Sequence, residues 1–122
     1  MVDNVTISPY RGNLVETAIV SDITKIYLNL YKTPRTSFLR DQSGHEVDCV
    51  LEKVNSLVPI EIKAKATATM SLFDELKFWK QSAVKEGSIN MEDGFVIYSG
   101  QTEKRALGTF LSWKDINKID VI

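Results

Sequence analysis

The segment GHEVDCVLEKVNSLVPIEIKA, residues 44–64, limits the fold more than any other part of the chain. It holds two short apolar runs separated by Lys53-Val54-Asn55-Ser56. Runs of this length with a polar turn between them read as neighbouring strands of a hairpin, here over 45–52 and 57–64. Side chains alternate along a strand. Val58, Ile60, Ile62 and Ala64 therefore share one face, and Glu61 and Lys63 the other. On the preceding strand Glu46, Asp48 and Val50 share a face, opposite Val47, Cys49 and Leu51. Pairing the strands brings Asp48 beside Glu61, so that three carboxylates and a lysine converge in an otherwise apolar hairpin. An unpaired carboxylate buried in such a place is costly or becomes protonated, so the arrangement calls for a compensating charge.

The flanking segments supply the layers of the fold. Residues 12–32 follow a helical period, with apolar positions at Leu14, Val15, Ala18, Ile19, Val20, Ile23, Ile26, Tyr27, Leu30 and Tyr31. Thr33-Pro34 ends this helix, because the residue before a proline disfavours helical geometry. A short strand over 36–40 follows, then the turn Asp41-Gln42-Ser43-Gly44. A second helix over 71–84 places Leu72, Phe73, Leu76, Trp79 and Ala83 on one face. A loop over 87–93 leads to a buried strand over 95–98, a connection through 101–105 and a last strand over 107–112. Residues 113–119 form a short helix or turn. Strands on both sides of a helix, with the first helix free to cover them, predict an α/β sandwich around a mixed central sheet flanked by helices. Residues 1–10 read as a lead-in and 11–122 as one domain.

Composition removes several functions. The chain has 122 residues and a net charge of -1, without the basic excess of a dedicated duplex binder. One cysteine, Cys49, lies inside an apolar run, where it reads as a core residue; no internal disulfide can form. One histidine, His45, has no nucleophile-elbow pattern to accompany it. There is no phosphate-cradling glycine loop. The N-terminal residues lack a signal-peptide pattern and no apolar run is long enough to span a bilayer, so a cytoplasmic protein without a membrane partner is expected.

The first helix adds another acid to the hairpin. With Glu16 at 0° and ~100° per residue, Ile23 falls near ~340°, Tyr27 near ~20° and Val20 near ~40°. Glu16 thus lies on the buried stripe. A hard divalent cation, Mg²⁺ or Mn²⁺, suits this set, since it prefers oxygen ligands and needs few carboxylates. Asp48 and Glu61 would be direct ligands, with the Ile62 carbonyl as a third and Glu16 holding a metal-bound water. Lys63 would orient the attacking water or stabilise charge developing on a phosphate. Glu46 and His45 belong to an outer shell, and His45 has a substrate-contacting role as an alternative. Arg40 and Lys65 are the better phosphate-binding candidates, ahead of Arg11 and Lys77. Each residue also has a plainer role: Glu16 as a first-turn acid favoured by the helix dipole, Glu61 and Lys63 as a surface ion pair, and Glu46 and His45 as solvated groups.

Glu16, Asp48 and Glu61-Ile62-Lys63, in this order, resemble the PD-(D/E)xK or restriction-endonuclease-like nuclease superfamily. That resemblance implies an αβββαβ core in which Asp48, Glu61 and Lys63 are catalytic. Val47 stands where the superfamily's name has proline. The chain is more closely similar to a domain of unknown function found C-terminal to the ATPase module of predicted prokaryotic AAA+ ATPases. Arg11-Gly12-Asn13-Leu14-Val15-Glu16, Phe38-Leu39-Arg40-Asp41, Gly44-His45-Glu46-Val47-Asp48, Pro59-Ile60-Glu61-Ile62-Lys63, Gly94-Phe95-Val96-Ile97-Tyr98-Ser99-Gly100 and Trp113-Lys114-Asp115 carry this likeness over roughly 11–116. It implies an ATPase partner and leaves the reaction open. The leading expectation is a metal-dependent nuclease-like domain acting on nucleic-acid phosphodiesters. The alternative is a catalytically silent regulatory or protein-interaction module of an ATPase, with an exposed apolar patch near Trp79 or Trp113. Purely structural ion pairing is a third possibility.

Overall fold

The computed structural model describes residues 6–8, 14–86 and 90–122. Within them the elements are β1 (Thr6–Ser8), α1 (Leu14–Asn29), β2 (Thr36–Arg40), β3 (Glu46–Glu52), β4 (Leu57–Ile62), α2 (Asp74–Glu86), β5 (Gly94–Tyr98), β6 (Glu103–Arg105) and β7 (Gly108–Ser112). A 3-10 turn, Met70–Phe73, leads into α2, and a 3-10 helix, Trp113–Lys118, follows β7. The described strands form one mixed sheet in the order β1-β2-β3-β4-β5-β7-β6. Its first four strands are antiparallel neighbours; β4, β5 and β7 run parallel. The expected mixed sheet flanked by helices is present. The lead-in contributes an edge strand through the pairing of Ile7 with Leu39. The connection over 101–105 contains the other edge, β6. Both edge strands are only three residues long, too short to show a period in sequence.

Two apolar layers close the sheet. On one side Ile19, Ile23 and Tyr27 of α1 pack with Cys49, Leu51, Val58, Ile60, Ile62 and Ile97, and the C-terminal residues Ile116, Ile119 and Val121 complete the layer. On the other side Trp79 and Ala83 of α2 pack on Leu39, Val47 and Val50, while Phe73 and Leu76 pack on Val96 and Phe110. Among the described residues no helix is long and apolar enough to cross a membrane.

The buried stripe of α1 is narrower than its apolar residues suggest. Leu14 is 88% exposed and Tyr31 is 99% exposed, and Val15 and Leu30 are exposed as well. The helix stops at Asn29, before Thr33-Pro34, through backbone caps: Lys32 N–H donates to Tyr27 O at 2.9 Å and Tyr31 N–H to Leu28 O at 3.0 Å. This Schellman pattern puts Tyr31 in the left-handed region, at φ 55°. Glycine adopts that geometry without steric cost, and the tyrosine ring has no packing to lose. Tyr31→Gly is therefore expected to raise the thermal midpoint by a few degrees in a circular-dichroism melt. An unchanged or lower midpoint would contradict local strain at the cap.

Candidate metal centre

The candidate centre is built by a fault in the sheet. Between β2 and β3, Ser37 pairs with Val50 and Leu39 with Val47, so β3 carries one extra residue in the interval Asp48–Cys49. This bulge breaks the alternation expected from sequence. Val47 and Val50 pack together on the α2 side, whereas Cys49 and Leu51 pack on the α1 side. The expected grouping of Val47 with Cys49 and Leu51 is corrected accordingly. An added residue shifts the parity of everything after it, and bulges recur beside functional sites because they re-aim side chains.

Beyond the bulge the backbone ladder gives way to side chains. The paired register of β3 and β4 reaches Cys49 opposite Ile60 and goes no further. In its place Ile62 N–H donates to Asp48 Oδ2 at 2.9 Å, and Asp48 N–H donates to Glu61 Oε1 at 3.2 Å. Each carboxylate thus accepts a main-chain proton that an extended ladder would have satisfied. Lys63 Nζ lies 3.4 Å from Glu61 Oε2. Glu61 is buried at 3% exposure, and Asp48 is half-buried.

Charge is poorly compensated here. Burial, the neighbouring Asp48 charge and only partial relief from Lys63 push the Glu61 carboxyl up to about 8. Burial also raises Asp48, and Glu16 and Glu46 add to the rise, while the Ile62 N–H and Lys63 oppose it. Glu16, half-buried at the start of α1, therefore acts electrostatically on Asp48, as its place on the helical wheel implied. The structure brings Asp48, Glu61, Lys63 and Glu16 into one electrostatic unit. Among the described residues no three acidic, histidine or cysteine side chains surround a common point. The donor set is the Asp48–Glu61 pair. Two carboxylate oxygens fit a hard cation that keeps most of its waters, provided that the cation displaces the proton from Glu61.

The remaining candidates are arranged around this pair. Glu46 is bound by Arg40, whose Nε lies 3.2 Å from Glu46 Oε1 across the β2–β3 pairing. Arg40 is thus partly neutralised, although its side chain stays 60% exposed. Lys65 is exposed and has no ion pair among the described residues; its carbonyl accepts the Ser99 N–H at 2.9 Å. Lys77 is not at this centre: it lines a groove with Lys80, Asp93 and Gly94 at the start of β5. Arg11 lies outside the described residues. The Cys49 thiol is buried and pushed up to about 12 by burial, which makes it an inert core group.

His45 is neither free nor bound to the carboxylate pair. Its Nδ1 lies 3.1 Å from Glu75 Oε1 and 3.2 Å from Oε2, and its ring stacks on Phe78 at 3.6 Å and 11°. Sequence reasoning did not single out Glu75 or Phe78. Glu75 reads as an ordinary acid in the first turn of a helix, where the dipole favours it. Nothing local links either residue to a histidine some thirty positions earlier.

Comparison with known proteins adds a family. No curated protein and no solved structure matches the chain. The model of the family described as Domain of unknown function (DUF4143) matches residues 11–116, most of the chain and all of the centre, so this protein belongs to the DUF4143 family.

Proposed function

We propose that this domain is a divalent-metal-dependent, nuclease-like module that hydrolyses nucleic-acid phosphodiesters. The observation that carries the reading is the pairing of half-buried Asp48 with buried Glu61 at the point where β3 and β4 part, with Lys63 against it. The element order α1-β2-β3-β4-α2-β5 is compatible with a restriction-endonuclease-like αβββαβ core. In this reading Asp48 and Glu61 hold Mg²⁺ or Mn²⁺ and Glu16 stabilises its water shell. The ion would supply a polarised water and charge stabilisation on the phosphoryl oxygens. Lys63, with its side chain 37% exposed, would meet a phosphate. Arg40 and Lys65 are the exposed cations for the flanking phosphates. Attachment to an AAA+ ATPase is carried by the sequence resemblance.

Anomalous scattering from a crystal soaked in millimolar Mn²⁺ tests this directly. A peak is expected between Asp48 and Glu61, and its height should fall to noise in Asp48→Asn. Asn retains an acceptor for the Ile62 N–H, so the fold is preserved while the charge is removed. No peak in the parent protein would sink the metal reading.

A second reading has its own support. Three carboxylate oxygens at the centre are already engaged by the chain's groups, two by main-chain N–H and one by Lys63. In addition, Trp113 is 52% exposed and borders an open groove of about 280 Å³ with Ile26, Asn29 and Ile116 between α1 and the C-terminal 3-10 helix. A nuclease fold kept as an interaction module would have these features. Trp79, the other tryptophan, is buried between α2 and the sheet and does not contribute.

A further inference from the structure

The β2–β3 turn carries a second chemical group at the same end of the sheet as the carboxylate pair. We propose that His45 is a substrate-contacting residue, presenting Nε2 to a nucleic-acid strand that enters the centre, and that Glu75 is its positioning residue; this rests on the nuclease-like reading above.

The geometry restrains the imidazole on several sides. Asp41 Oδ1 accepts the His45 N–H at 2.9 Å and the Ser43 N–H at 3.0 Å, which fixes the turn that delivers the residue. Phe78 stacks on the ring at 3.6 Å, and the edge of Trp79 supports Phe78 at 5.7 Å. An ionised carboxylate only accepts hydrogen bonds, so the Glu75 contact requires Nδ1 to carry a proton. Nε2 is then the outward atom of a ring whose tautomer and plane are both set. It has no partner among the described residues and is not among their buried unpaired atoms, and the side chain is 37% exposed.

A histidine that serves only packing has no use for this combination. A carboxylate-backed ring with an open second nitrogen is the arrangement by which proteins orient imidazole toward a ligand. The location gives the ligand class. His45 stands three residues before Asp48 on the same strand. Arg40, paired across the turn with Glu46, lies at the same end of the sheet on the opposite face from the His45 ring, and Lys63 follows Glu61 at the end of β4. A strand whose scissile phosphate met Lys63 would pass the end of the sheet that carries His45 on the α2 face and Arg40 on the other.

His45 is the chain's single histidine, so its ring resonances can be read without assignment ambiguity. The test uses the full chain with Ca²⁺ in place of a catalytic ion, titrated with a twelve-nucleotide single-stranded DNA carrying a fluorescent label. Binding is followed by anisotropy and by the ¹⁵N and ¹H signals of the ring. The ring signals should move in step with saturation. H45Q should weaken binding about fivefold, the scale of one exposed hydrogen bond. E75Q should weaken it less and change the tautomer pattern, a readout that a merely structural role would not move. In parallel, Mn²⁺ should still broaden the amides of Asp48 and Ile62 in H45Q. Oligonucleotide binding with unmoved ring signals, or E75Q leaving both tautomer and affinity unchanged, overturns the His45 assignment and leaves the metal centre standing. Mn²⁺ broadening without any oligonucleotide binding has the same effect. Loss of both in the parent protein overturns the assignment together with the nuclease-like reading.

Discussion

Glu61→Gln should make the metal-free protein more stable at neutral and mildly alkaline pH, by about 2 kcal/mol near pH 7.5. The carboxyl is buried and sits beside Asp48, and its titration is pushed from 4.5 to about 8. The native state therefore keeps a proton that the unfolded chain has already released. The contribution of Glu61 is fully present below about pH 4.5 and is lost as pH rises through about 8. Glutamine can still accept the Asp48 N–H and never has to ionise. Urea melts at intervals from pH 5 to pH 9 should show the parent losing stability with rising pH, and the variant losing much less. A divalent cation reverses the order, because it binds the ionised pair. At 100 times its dissociation constant it should stabilise the parent by about 2.7 kcal/mol and leave Glu61→Gln nearly unaffected. Equal pH slopes, or a variant weakened at every pH without metal, would mean that the Lys63 contact outweighs burial and that the pair is a structural salt bridge.

Gly94→Ala should cost about 3 kcal/mol or more, a large share of the net stability of an ordinary domain. A Cβ at this position would lie 2.0 Å from Pro59 O and 2.8 Å from Pro59 Cγ. Proline has no N–H and is normally excluded from interior strands. Here Pro59 occupies β4, which is hydrogen-bonded to β3 on one side and β5 on the other. A proline without a donor facing a glycine without a side chain lets β4 and β5 approach closely. Because the closest obstacle is the Pro59 main chain, the added methyl has nowhere to go without separating the strands. The same separation would displace Glu61, two residues further along β4. Thermal melts and amide-exchange protection across β4 and β5 check the expectation. A variant within about 0.5 kcal/mol of the parent would show that the contact relaxes at little cost.

How far the centre can be read from the chain depends on where each constraint lies. The α1 helix and the strands β2 to β5 and β7 are legible because alternation and helical period record which face is buried; the nearness of Asp48 to Glu61 is legible from the hairpin alone, since the bulge breaks the alternation there. The position of Glu16 on the α1 stripe is legible for the same reason, and its electrostatic reach to Asp48 agrees with it. The β3 bulge is not legible, since one extra residue leaves no compositional mark in an apolar run. Nor are the three-residue edge strands, whose pairing is decided by the neighbours that need a partner.

The sequence by itself determined the layered α/β class and placed acids and a lysine at one end of a hairpin, because local period and turn chemistry act over a few residues. Only the tertiary structure decided that β3 and β4 part at Cys49 and Ile60, so that carboxylates take over from the backbone ladder. It also decided that His45 is held by Glu75 and Phe78, since a contact across thirty residues depends on how α2 lies against the sheet. Burial, which sets the charge state of Glu61, belongs to the same level: it depends on everything packed around a residue and on little that is adjacent to it in the chain.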